Sequence, residues 1–185
     1  MSRVRVVCVI ALVGLMVACG GGSSRPKVAK GVAAPTENKI VVREFDMAGT
    51  TVTNYNAMTD GFGVEIAQKI AERLNDKGLR AEAVARGGSV PEGASILEGS
   101  IMKIDGGNRA ARYLVGFGAG GASMTVKGSL RGADGQTVGE FTDGRNAAFG
   151  MFGGDSVALV HRCVESVADD VATMIVTGKY EKNAR

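Results

Sequence analysis

The sequence has no tryptophan, a single histidine and only three cysteines among its 185 residues. Aromatic residues make up 5% of the chain, too few for the stacking platforms on which proteins bind bases. Charged residues of either sign are not concentrated in one region of the sequence. The 22 Lys and Arg residues are scattered among 19 Asp and Glu, and the formal net charge is +3. We therefore expect no nucleic-acid partner, since such binding needs a concentrated basic surface.

The scarcity of histidine and cysteine argues against metal and thiol chemistry. His161 and Cys163 lie two positions apart on a predicted helix, where side chains point about 200° apart and cannot form a base and nucleophile pair. They also fall short of the three or four ligands of a zinc site, and Asp169 and Asp170 are expected on a solvated helix face. We expect no metal, cofactor or catalytic residue and no enzyme activity, with Cys163 a buried, inert thiol. The alternative is a thiol-dependent enzyme at Cys163.

Glycine is the residue type in clear excess, at 28 of 185 positions. Residues 116–121 read Gly-Phe-Gly-Ala-Gly-Gly and match the G-x-G-x-x-G dinucleotide motif. In a dinucleotide site, however, that motif opens a helix whose amide groups and dipole meet the pyrophosphate. Here the alternating residues 122–130 predict a strand, so the glycines are expected to serve a tight turn or a close backbone contact.

The first eighteen residues have the layout of a secretory signal. Arg3 and Arg5 precede an apolar run at residues 6–17, which is shorter than the ~20 residues of a membrane-spanning helix. Residues 15–20, Leu-Met-Val-Ala-Cys-Gly, resemble the lipobox of bacterial lipoproteins. The resemblance implies cleavage before Cys19, a diacylglycerol on its sulfur, and acylation, for example by palmitate, of the new amine. The alternative is an ordinary secreted protein in which Cys19 happens to lie near the cleavage site.

The lipobox resemblance also implies a location. Each buried methylene contributes about 0.8 kcal/mol, so several acyl chains would hold the protein at a membrane stably. Gly20 follows the cysteine where Asp would favour the inner membrane, and this resemblance favours the outer membrane and a domain facing the periplasm. With Cys19 acylated, Cys163 has no disulfide partner, and packing must stabilise the fold. Residues 19–39 then comprise the lipidated cysteine and a Gly-, Ser- and Lys-containing linker that spans about 25 Å as a flexible coil.

Residues 40–178 are predicted to form one α+β domain, followed by a tail at residues 179–185. Apolar patterns predict strands at residues 40–45, 79–85, 94–104, 122–130 and 136–142. They also predict a helix from an Asp60 cap to Gly78 and another from Asp155 or Ser156 to Gly178, and Asp134-Gly135 is expected to close a hairpin. The order β-α-β-β-β-β-α predicts a two-layer sandwich, with a mixed or antiparallel sheet of about five strands and two amphipathic helices on one face.

The segment between the third and fourth predicted strands is the candidate interaction surface. It consists of two cations, two aromatic residues and three glycines: Arg109, Arg112, Tyr113, Gly116, Phe117, Gly118 and Gly120. If its first half forms a helical turn, the two arginines lie on one side and the two aromatic rings on another. Such a surface could meet lipid headgroups or an identical neighbour. The alternative is a crossover packed on the sheet, and residues 149–154 allow the same two interpretations.

Residues 106–120, the strand that follows and Asp134-Gly135 resemble a bacterial lipoprotein family catalogued as domain of unknown function 4410. The resemblance covers roughly residues 40–178 and centres on an Arg-x-x-Gly-Phe-Gly-Ala-Gly core, although here three residues separate Arg112 from Gly116. The family has no established activity, so it implies a location and a glycine pattern rather than a reaction. The strand order also resembles two-layer domains of the curli-secretion lipoprotein and the Tol translocation protein, which assemble with other envelope components.

These observations favour a lipid-anchored outer-membrane protein with a non-enzymatic binding or scaffolding role in the cell envelope. Its expected partners are the membrane, through the N-terminal acyl chains, and either another envelope protein or further copies of itself. The alternative is a subunit of a self-assembling envelope export or transport complex, with the glycine-rich segment lying between protomers.

Overall fold

The computed structural model describes residues 39–108, Ala111, 120–147 and 155–178. In these ranges the strands are β1 (Ile40–Arg43), β2 (Thr51–Thr53), β3 (Ala81–Val84), β4 (Ser95–Asp105), β5 (Ala122–Arg131) and β6 (Thr137–Ala147). The helices are α1 (Phe62–Asp76) and α2 (Ser156–Thr177). Two helices against a mixed sheet confirm the predicted α+β two-layer architecture, with one strand more than predicted.

The sheet has the order β3-β1-β4-β5-β6. β1 pairs in parallel with β3 and β4, whereas β4, β5 and β6 form an antiparallel meander. The unpredicted strand β2 pairs in parallel with the end of β4, where Thr51 lies opposite Lys103. β1 and β2 therefore lie one after the other along the same edge of β4.

Met102 forms a β-bulge in β4. Ile101 lies opposite Val126 and Lys103 opposite Thr125, which leaves Met102 without an opposite residue. Because side chains alternate between the two faces of a strand, one extra residue reverses the alternation. Ile101 and Ile104 are consequently both buried in the core although they lie three residues apart.

α1 and α2 lie side by side and run parallel on one face of the sheet. Lys69 contacts Glu165 and Lys77 contacts Asp169, so that both helices advance in the same direction. The predicted apolar stripes are buried between the helices and the sheet: Phe62, Ile66, Ile70 and Leu74 in α1, and Val160, Val164, Val167, Val171 and Ile175 in α2. Within the described ranges, neither helix is long and apolar enough to cross a membrane.

The predicted ends of α2 are confirmed, whereas the predicted cap of α1 is wrong. Asp155 accepts a hydrogen bond from the Val157 amide at 3.2 Å, and Gly178 ends the helix with φ +63°. The N-cap of α1 is Gly61 rather than Asp60, and it makes no side-chain capping bond. Instead, the Phe62 amide donates to the Thr59 carbonyl at 3.0 Å, so a backbone turn satisfies the group that a carboxylate was expected to bind.

Two aromatic rings fill space that glycines leave at the centre of the sheet. Gly99 and Gly128 lie opposite each other in β4 and β5, and Gly128 lies opposite Phe141 in β6. A Cβ atom on Gly99 would lie 2.5 Å from Cε1 of Phe45, and one on Gly128 would lie 2.5 Å from Cζ of Phe141. Both rings are buried in the core. The two positions therefore require glycine because an aromatic ring occupies the space of the missing side chain.

We expect Gly128→Ala to lower the free energy of unfolding by about 2 kcal/mol or more, because the added methyl overlaps the Phe141 ring and the Glu98 carbonyl oxygen. Denaturant unfolding followed by circular dichroism measures the change. Gly87→Ala is the matched control, since a Cβ there meets no atom within 4 Å. Equal losses in the two variants would contradict this account of the central glycines.

Candidate functional site

The glycine-rich segment begins and returns at a closed point between β4 and β5. We call residues 106–108 and 120–121 the neck. The Asn108 amide donates to the Gly120 carbonyl at 3.1 Å. The Asn108 side-chain oxygen accepts a hydrogen bond from the amide of Ala111, a helical residue, at 3.1 Å. Asn108 therefore both closes the neck and binds the backbone amide of Ala111 beyond it.

Direct backbone contact explains the glycines of the neck. Gly107 and Gly120 have φ angles of +75° and +70°, a region that glycine adopts without strain. A Cβ atom on Gly107 would overlap the carbonyl oxygens of Gly120 and Gly121. One on Gly120 would overlap the Asn108 carbonyl oxygen, and one on Gly106 that of Asn54. The glycines of the neck thus serve close approach of three backbone segments, and of the residues 116–121 for which the sequence predicted this role, Gly120 is shown to have it.

Asp105 organises the neck from the end of β4. One carboxylate oxygen accepts hydrogen bonds from the Gly107 amide at 2.9 Å and the Asn54 side chain at 3.1 Å, and the other pairs with Lys103 at 3.3 Å. Burial acts to raise the pKa of Asp105, but the Gly107, Asn54 and Lys103 bonds outweigh it and hold the pKa below its usual value. The ionised carboxylate therefore ties the neck to the loop after β2. Sequence reasoning missed both Asp105 and Asn54, and the only signal was the Asp-Gly-Gly turn at residues 105–107.

The structure places one of the predicted surface residues, Gly120, in the neck. The remaining predicted site residues lie outside the described residues: Cys19, Arg109, Arg112, Tyr113, Gly116, Phe117 and Gly118. The second glycine cluster, residues 149–154, also lies outside them. Its attachment point is described, because Ala147 at the end of β6 lies opposite Ala122 at the start of β5. Both glycine-rich segments are therefore attached at the same end of the sheet.

An aromatic cluster at this end fixes the loop after β2 against both helices. The Tyr55 and Phe62 ring centroids are 5.8 Å apart, and those of Phe62 and His161 are 5.3 Å apart. His161 Nδ1 lies 2.7 Å from a Glu65 carboxylate oxygen. Burial, followed by the charges of Asp155 and Glu65, raises the pKa of Tyr55. The arrangement joins β2, α1 and α2 near the neck, and it gives His161 a packing role.

Cys163 has the surroundings of a structural thiol. It is fully buried, and Sγ donates weakly to the carbonyl oxygens of Arg145 and Ala122 at 3.6 and 3.7 Å. Burial raises its pKa to about 11, so the nucleophilic thiolate is scarce at neutral pH. The prediction of a buried thiol is confirmed. Within the described ranges, no group of three or more His, Cys, Asp or Glu side chains is placed to bind a metal ion.

The predicted solvated position of Asp170 is wrong. Asp169 is exposed and pairs with Lys77 at 3.3 Å, but Asp170 is buried and pairs with Arg145 of β6. A helix turns by about 100° per residue, which places Asp170 beside the buried stripe of α2. Its charge is accommodated there because Arg145 points inward from the sheet. No sequence pattern indicates this partner, because Arg145 lies 25 positions before Asp170.

The sheet face opposite the helices holds a shallow concavity of about 700 Å³. Small residues of β4, β5 and β6 form its floor, and charged side chains of both signs surround it, including Arg43, Glu98, Lys127 and Glu140. Glu98 pairs with Arg43 at 3.7 Å and with Arg131 at 2.7 Å. The concavity thus carries charges of both signs, and the neck is the better-defined site.

Gly107→Ala should destabilise the domain by about 2 kcal/mol more than Gly135→Ala, since only the first adds a collision with another backbone. Gly135 is the matched control, because its φ of +77° imposes the same strain while its Cβ position is open. Thermal unfolding of the two variants measures the difference. Equal losses of stability in the two variants would show that the backbone of the neck can move to accommodate a methyl group, which would contradict this account of Gly107.

Comparison with solved structures shows which known folds this domain resembles. No curated protein matches it. Among solved structures, it is similar to a PelC dodecamer from Paraburkholderia phytofirmans, with TM-score 0.53 and 15% identity over 82% of this chain and 96% of that chain. A variant PelC dodecamer from the same organism gives TM-score 0.48 and 17% identity over 78% and 94%. At 15% identity, the similarity to the first of these structures is a likeness of fold alone.

The family match agrees with the resemblance seen in the sequence. A family model described as "Domain of unknown function (DUF4410)" matches residues 40–151. This range spans all six strands, α1 and the neck. The chain therefore belongs to the DUF4410 family.

Proposed function

We propose that this protein is a lipid-anchored component of the bacterial cell envelope, held at the outer membrane by acyl chains on Cys19, with a non-enzymatic binding or scaffolding role. The observation that carries the proposal is the agreement of three sequence features at the amino terminus: a short apolar run, Ala18 and Cys19. Several acyl chains attached at one residue give stable membrane binding without a spanning helix.

The start of the folded domain supports this arrangement. Ile40 is the first residue of β1 and is fully buried, and it lies 21 positions after Cys19. A flexible chain of that length reaches roughly 25 Å. The domain would therefore stand clear of lipid headgroups, where it can meet other envelope components.

The geometry of the domain supports a binding role. The neck is held by backbone contacts and by the Asp105 carboxylate, so it presents the glycine-rich segment from a fixed base. The nucleophile singled out in the sequence, Cys163, is buried and protonated at neutral pH. These features favour a protein that binds through its surface. They argue against an enzyme that uses the Cys163 thiol.

Replacement of Cys19 tests the anchor. In Cys19→Ser cells, we expect loss of fatty-acid labelling and transfer of the protein from the membrane fraction, because serine provides no thioether linkage. Cys163→Ala is the matched control and should keep both the label and the membrane location, since its thiol is buried. Labelling that persists in Cys19→Ser would refute the anchor.

A second candidate function is that of a subunit in a self-assembling envelope complex. The observation that favours it is the likeness of fold to a PelC dodecamer, at TM-score 0.53. Attachment of both glycine-rich segments at one end of the sheet would allow them to contribute to a single contact between protomers. Confinement of anchored molecules to a membrane would raise their effective concentration and favour such contacts.

The oligomeric state of the full chain, extracted from membranes in mild detergent, tests this second candidate. Native mass spectrometry is expected to show species of several copies that dissociate on dilution. A monomer at every concentration would count against self-assembly and leave the anchoring proposal untouched.

A further inference from the structure

Two charged side chains on the sheet face opposite the helices have no partner within the described residues. Lys127 of β5 and Glu140 of β6 are exposed and line the concavity on that face, and neither makes an ion pair or a side-chain hydrogen bond there. The other charged side chains that line the concavity do have partners: Arg43 contacts Glu98, Arg86 contacts Asp46, and Glu44 accepts a hydrogen bond from the Arg86 amide. One cation and one anion are therefore available to a second molecule.

The strand register places these two charges side by side. Lys127 lies opposite Thr142 in β6 and opposite Ser100 in β4. Glu140 lies opposite Ser129 in β5. The two charged residues are therefore diagonal neighbours on adjacent strands, at positions about 7–8 Å apart. The residues around them are short, so the two charged side chains project above a low floor.

The area of this face suits a weak contact between two proteins. β4, β5 and β6 run side by side for about ten residues each. At a strand spacing of about 4.8 Å and a rise of about 3.3 Å per residue, they form a face of roughly 500 Å². Among the described residues β6 pairs only with β5, so it is an edge strand and the face is open on that side. Two such faces in contact would bury about 1,000 Å², which is the range of weak, transient interfaces.

A cation and an anion that lie side by side on one face are complementary to a second copy of that face. A two-fold axis in the plane of the contact, passing between the two charges, brings Lys127 of each copy opposite Glu140 of the other. Two intermolecular ion pairs then form from groups that have no partner in the single chain. A patch with charges of one sign would instead repel its own copy.

We propose that the sheet face opposite the helices is a two-fold contact between two copies of this chain, in which Lys127 of each copy pairs with Glu140 of the other. The inference rests on the self-assembly proposed above as the second candidate function, and it names a surface that the copies share. Because exposed ion pairs are individually weak, the contact depends on the high effective concentration of molecules confined to a membrane.

Charge reversal in the full chain, extracted from membranes in mild detergent, tests this contact. Lys127→Glu and Glu140→Lys should each raise the dissociation constant for self-association by about tenfold or more, because each change places two pairs of like charges in the contact. The double variant restores opposite charges and should return the constant to within about threefold of the wild-type value. Sedimentation equilibrium over a series of protein concentrations measures the constants.

The matched control is Glu92→Lys, which makes the same change of charge at an exposed position outside the concavity. It should leave the dissociation constant unchanged. A mixture of the two single variants gives an independent readout, since one chain then carries two acidic side chains in the contact and the other carries two basic ones. The mixed pair should associate more tightly than either variant does alone.

The outcomes separate this contact from the proposed function. Single reversals that leave the constant unchanged, or mixed variants that do not associate, would overturn the inference and assign the face to another partner or to solvent. If the wild type still self-associates in that case, the second candidate function stands with its contact elsewhere. Wild-type chains that remain monomeric at every concentration would refute both the contact and self-assembly. Neither result bears on the anchor at Cys19, which fatty-acid labelling tests separately.

Discussion

Apolar contact between two parallel helices and one face of the sheet positions every other described element. α1 covers β1 and β3, α2 covers β5 and β6, and the helices contact each other. Since fully burying one large apolar side chain contributes about 1.5–3 kcal/mol, stripes as long as these dominate the stability of the domain. The neck, the edge strand and the polar sheet face are all attached to this packed layer.

Glycine has two physical uses in this domain. At Gly99 and Gly128, the missing side chain leaves room for the buried rings of Phe45 and Phe141. At Gly107 and Gly120, it allows backbone segments to touch in a conformation with positive φ. The first use lets aromatic rings pack in the core, and the second closes the neck. A high glycine content is therefore compatible with a firmly packed domain.

The parts of the fold that bury periodic apolar residues could be predicted, and the parts determined by partners distant in sequence could not. Phe62, Ile66 and Ile70 recur at helical spacing, so α1 was evident. β2 has only three residues, all exposed, and leaves no burial pattern. β6 was expected to end at Thr142, because Asp143 and Arg145 look like solvent positions until Asp170 is seen beside them. The glycine pattern of the neck was visible, but Asp105 and Asn54 are recognisable only once their contacts are known.

β4 separates the start of the domain from the neck. β4 begins at Ser95, opposite the first residue of β1, and ends at Asp105 beside the neck. Ten residue steps of about 3.3 Å separate those points by roughly 33 Å. The chain that comes from Cys19 therefore enters at one pole of the domain, while both glycine-rich segments leave from the other. A molecule tethered as proposed would carry the attachment points of both glycine-rich segments at the end of the domain opposite its own tether.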